Sequence, residues 1–145
     1  MRTNHGAILI DDARWPLIDV HFVGDVSKDD YRSAFARYAE LAKRGEKVVW
    51  LIDMRRFDPL GVDASTRKAA ADVFAEHREA LMSVSVAEAR IIESFVTRNV
   101  LTAFDWLTGA NKWPCEQFAT QTGAETWLRD RYAHRVGQPL GRTGS

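Results

Sequence analysis

Hydrophobic and polar positions along this chain change period several times, and each change marks an element. Residues Leu17 to Val23 alternate, with Ile18, Val20 and Phe22 on one side and Asp19 and His21 on the other. A period of two predicts a half-buried strand. The apolar run Ala7 to Ile10 before it, across the turn-rich Asp11–Arg14, predicts the partner strand of an antiparallel hairpin. Gly24 ends the second strand. Ser27 then opens a helix, with Asp30 at the third helical position and Val26 and Tyr31 at the staple positions. Tyr31, Ala34, Phe35, Tyr38, Ala39 and Ala42 recur at helical spacing as one apolar stripe, and Gly45 is the stop.

The run Lys47-Val48-Val49-Trp50-Leu51-Ile52-Asp53 follows. A short apolar run flanked by helical patterns predicts a strand buried on both faces at the centre of a mostly parallel sheet. Its acid falls at the C-terminal end, where open α/β sheets place their sites. Residues Met54 to Val62 are expected to form a loop, and Asp63 to cap a second helix whose inner face holds Ala70, Val73, Phe74, His77 and Leu81. Ser83 to Glu88 carries little pattern and is expected to be a connection before a strand over Ala89 to Phe95. A third helix is expected from Thr97 to Gly109, with Val100, Leu101, Phe104 and Leu107 turned inward. Trp113 to Phe118 predicts a short edge strand, since Pro114 cannot donate within a ladder. Thr122-Gly123-Ala124-Glu125 has the form of a capping box for a last helix that buries Trp127, Leu128 and Tyr132. From Val136 onward the pattern is lost, and residues 136–145 are expected to be a disordered tail.

The order is ββαβαβαβα, and it predicts one α/β domain over residues 1–135: a single open mixed sheet of five strands with four helices. Composition agrees with a soluble globular chain: 145 residues, 46% hydrophobic and 28% charged. Twenty basic and twenty acidic residues cancel, so nothing marks a nucleic-acid or anionic-membrane partner. No apolar run approaches the ~18 residues of a membrane span. The single cysteine, Cys115, rules out an internal disulfide, and no signal-peptide pattern opens the chain. A cytoplasmic location is the expectation.

Three stretches together resemble the STAS-like family of anti-sigma-factor antagonists and their CRAL-TRIO lipid-transfer relatives. Val49-Trp50-Leu51-Ile52-Asp53-Met54-Arg55 looks like the central strand ending in Asp, and Val96-Thr97-Arg98-Asn99-Val100-Leu101 looks like the strand-to-helix turn of small bacterial members. Phe118-Ala119 with Ala124-Glu125-Thr126-Trp127-Leu128 is similar to their ending. The resemblance covers roughly Ala7 to Tyr132 and implies a bacterial interaction or regulatory module, or a carrier of an apolar ligand or lipid. The antagonists keep a serine a few residues past the Asp. Here the loop is longer, and the corresponding hydroxyls are Ser65 and Thr66.

Candidate chemistry is sparse. Ser65 and Thr66 in the first turn of a helix would set a phosphate against unsatisfied N–H groups, though hydroxyls are also favoured there for backbone reasons alone. Asp53 either meets a partner or ligand or pairs with Arg55 or Arg56. With Arg98 and Asn99 from the neighbouring unit, these residues are expected to converge on one crevice that receives a protein partner or an anion. If an apolar ligand is carried instead, Phe74, His77 and Phe104 are its expected lining. The histidines and Cys115 have no metal-ligand spacing, and no nucleophile elbow, dinucleotide fingerprint or P-loop is present. The expectation is a chain that is not an enzyme, holds no metal or cofactor, and self-associates as a homodimer, because zero net charge does little to keep copies apart.

Overall fold

The computed structural model describes residues 7–58, 63–94, 99 and 113–140. Five strands form one sheet in the order β1-β2-β3-β4-β5. They are β1 (Ala7–Asp11), β2 (Leu17–Gly24), β3 (Val48–Phe57), β4 (Ser85–Ile91) and β5 (Cys115–Phe118). β1 runs antiparallel to β2, and every later pairing is parallel. Among the described residues there are three helices: α1 (Lys28–Ala42), α2 (Ala64–Val84) and α3 (Gln121–Val136). The helix expected from Thr97 lies outside the described residues, apart from Asn99, which is helical and exposed.

Strands that follow one another in the same direction across a sheet place their right-handed crossovers on one face. That face carries α1 and α2. Its core contains Ile18, Val20 and Phe22 of β2, Val48, Trp50 and Met54 of β3, and Tyr38, Ala42, Phe74 and Leu81 of the helices. α3 covers part of the other face, where Leu17, Val49, Leu51, Ala87, Ala89 and Ile91 meet Ala124 and Leu128. The stripe of α1 therefore packs on Val48 and Trp50, while Val49 and Leu51 belong to the opposite layer.

Local chemistry explains the boundaries. Ser27 accepts from the Asp30 amide and the Asp30 carboxylate accepts from the Ser27 amide, a reciprocal cap. Gly45 has φ +76°, which lets the chain turn back after α1 without a Cβ penalty. Several boundaries differ from the sequence expectation. β3 does not stop at Asp53: the register slips opposite His21 and Val23, the alternation resets, and Phe57 is buried with Met54 on the first face. α2 runs to Val84 and passes straight into β4, so Ser83–Glu88 is no loop. α3 begins at Gln121 under the cap of Thr120, whose side chain accepts from the Gly123 amide, two residues before the expected cap at Thr122. Beyond Gly137 the chain still reaches the core: Leu140 is buried in the second layer, and its carbonyl accepts from Arg129 Nη1 at 3.4 Å.

Candidate functional site

Asp53 is the last β3 residue in register with β4, opposite Ile91. Alternation turns it to the face of Val49 and Leu51. Oδ1 of Asp53 accepts from the Arg55 amide and from Arg55 Nε, both at 3.0 Å, and Oδ2 accepts from Arg55 Nη2 at 2.6 Å. These bonds hold the Asp53 carboxyl below the usual carboxylate range against the opposing effect of burial. His21 Nδ1 stands 3.7 Å from Oδ2, and Arg55 reaches on to Gln121 Oε1 at 3.5 Å. On the same face Arg14 bridges Asp19, at 2.7 Å, and Glu125, at 3.2 Å, and so fastens the first turns of α3 to β2.

The start of α2 is arranged differently. Asp63 caps it, accepting from the Thr66 amide at 2.7 Å. That bond, followed by one from the Thr66 side chain, lowers the Asp63 carboxyl below its ordinary value. Thr66 is buried and serves the cap, whereas Ser65 is exposed. Because α2 packs on the first face and Asp53 points to the second, the sheet lies between Asp53 and these hydroxyls. Asn99 is exposed; Arg98 and Phe104 lie outside the described residues.

A third arrangement is anticipated only in part by the sequence. Between the sheet and the helices α1 and α2 lies a cavity of about 80 Å³. Phe74 lines it, as expected of an apolar pocket; His77 is half-buried and is not among the described lining residues. Ring contacts run in sequence from Trp50 to Tyr38, Phe35, Phe74 and Trp113, with centroids 4.9, 5.1, 6.0 and 6.1 Å apart. Glu88 and Arg90 of β4 close the cavity wall, and both are buried. Arg90 Nε donates to Glu88 Oε2 at 2.6 Å, and Trp113 Nε1 donates to Glu88 Oε1 at 3.0 Å. On sequence Glu88 ends an expected connection and Arg90 lies within the expected strand from Ala89, and the burial of both charges is not apparent. The available signal was the small apolar frame around them, Val86, Ala87, Ala89, Ile91 and Ile92, with opposite charges two residues apart on one strand face.

A family model described as SpoIIAA-like matches residues 17–129. Among solved structures, the chain is similar to an uncharacterised protein of the DUF3478 family with a SpoIIAA-like fold from Shewanella loihica PV-4. Identity is 19%, the TM-score is 0.61, and the match covers 88% of this chain and 98% of that one. At this identity the likeness carries the fold alone, and it agrees with the STAS-like resemblance read from the strand and turn motifs. No curated protein matches the chain.

Proposed function

The chain belongs to the SpoIIAA-like family, and from that premise we propose that it works as a non-enzymatic regulatory module that acts by binding a protein partner in the bacterial cytoplasm. The observation that carries this reading is the family match across residues 17–129. The partner-facing surface in this reading is the first turn of α2, with Ser65 outermost, together with Arg98 and Asn99 of the neighbouring unit. Ser65 is exposed and Thr66 is buried under the cap, so a phosphate or a partner's polar group meets Ser65 rather than Thr66. Asp53 acts by anchoring Arg55 and thereby shaping the strand end. The working form in this reading is a two-fold dimer. No helix among the described residues is long and apolar enough to cross a membrane.

The test compares wild type with Ser65→Glu, each immobilised and exposed to extract of the host. Added charge in a contact surface weakens association. Proteins retained by wild type and lost from Ser65→Glu support the proposal. An identical retained set, with both proteins folded, places the partner surface elsewhere.

A further inference from the structure

Two tyrosines of α1, Tyr31 and Tyr38, line the cavity and are only 8% and 7% exposed. Neither hydroxyl is hydrogen-bonded to another described residue. Among the described residues no side-chain N or O atom is both fully enclosed and without a partner. Both hydroxyl oxygens therefore keep some accessible surface, and both residues line the cavity. Hydroxyls with no protein partner can bond to water or to a polar group of a molecule held in the cavity. Burial first, and then the neighbouring Glu88 carboxylate, push the Tyr38 hydroxyl well above its ordinary pKa, so it is present as O–H and can donate.

The cavity also states what kind of molecule it accepts. One water needs on the order of 10–15 Å³ of such space, so about 80 Å³ holds a few waters or one small ring. The charges in its wall already compensate each other, since Arg90 and Glu88 pair at 2.6 Å. A ligand with net charge would bring an uncompensated ion among Trp50, Phe74 and Trp113, which is unfavourable in an apolar interior. Aromatic rings, by contrast, pack well against such walls in edge-to-face geometry.

We propose that this cavity is a binding site for a compact, uncharged, single-ring molecule bearing one hydroxyl or carbonyl group, gripped by the aromatic walls and hydrogen-bonded by Tyr31 and Tyr38. The site is separate from the proposed partner surface and stands or falls independently of it.

The experiment is calorimetric titration of the full chain with phenol, and with toluene as the ring that lacks a hydroxyl. Wild type is expected to bind phenol saturably at one site. The double variant Tyr31→Phe/Tyr38→Phe keeps both rings and removes both hydroxyls. It is expected to weaken phenol binding about tenfold and to change toluene binding less than about twofold. Ala34→Phe projects a ring into the space from α1 and is expected to abolish binding of both probes. If that variant does not fold, the double variant, which conserves the packing, still decides. Absence of saturable phenol binding to wild type, or phenol binding unchanged in the double variant, overturns the proposal.

Discussion

Arg90 donates its Nε–H to Oε2 of Glu88 across 2.6 Å, although only 4% and 5% of the two side chains remain exposed. Two residues apart on one strand, they share a face, and Glu88 is further tied to Trp113. Removing one member strands the other. Arg90→Ala is expected to destabilise the fold by about 3–5 kcal/mol, because an unpaired carboxylate stays buried. The double change Glu88→Leu with Arg90→Met should cost clearly less than the two single losses added together. Urea unfolding of Arg90→Ala, of Glu88→Leu, of Arg90→Met and of the double variant checks this, and strict additivity would show that the pair does not act as a unit.

Acid should reveal Asp53. Its carboxyl is lowered chiefly by the Arg55 side-chain bonds, so the folded state holds the ionised form more firmly than the unfolded chain does. The resulting stability is fully present above the unfolded value near 3.9 and is lost as pH falls through the lower folded-state value. Asp53→Asn is expected to cost about 1 kcal/mol at neutral pH, given that Arg55 is partly exposed, and to flatten the fall in stability below about pH 4. Denaturant midpoints measured from pH 7 down to pH 3 test this; an acid limb as steep as that of wild type counts against it.

The cap of α1 offers a cleaner readout. Ser27→Ala removes the acceptor for the Asp30 amide and should cost about 1 kcal/mol. Ser27→Asp, which retains an acceptor, should recover most of that loss. Thermal unfolding of the two variants beside wild type is sufficient, and equal losses would mean that the cap contributes little.

The second core can be probed from both ends. Leu51 is 3% exposed, and Leu51→Ala is expected to lose roughly 2–5 kcal/mol. Leu140, at 7%, closes the same layer from beyond α3, so Leu140→Ser should lower stability measurably even though it lies in a stretch without sequence pattern. A Leu140→Ser protein as stable as wild type would show that residues after Gly137 add nothing to the fold.

Much of the fold was legible in the sequence because local and tertiary preferences agreed. The alternation of Ile18, Val20 and Phe22, the Ser27–Asp30 cap and the apolar run ending at Asp53 each have one physical reading, and the structure follows them. The elements that differ share a cause: local composition there does not report burial. Asp58-Pro59 and Gly61 predict a loop over Met54 to Val62 where β3 continues to a buried Phe57, and the weak pattern of Ser83 to Glu88 predicts a connection where α2 passes into β4, whose residues Val86 to Ile91 are buried. Charges that satisfy each other leave a composition like that of a surface. The candidate site was less legible for a second reason. Ser65 and Thr66 are neighbours in sequence, but one faces solvent and the other is consumed by Asp63, and a helix start alone does not say which. Which face Asp53 takes also depends on a strand alternation that only the register settles.

The joint between α2 and β4 contains no loop: Ser85 closes the helix, its amide donating to the Leu81 carbonyl, and is itself the first residue of the strand. Insertions and deletions are absorbed most easily where a loop can lengthen, and here there is no loop. One residue added between Val84 and Ser85 would turn every following side chain to the other side of the sheet. Glu88 and Arg90 would be driven into the layer of Ala124 and Leu128, and Ala87 and Ala89 would face the ring-lined cavity in their place. The spacing from Leu81 to Arg90 thus behaves as a reading frame, in which the count of residues matters as much as their identity.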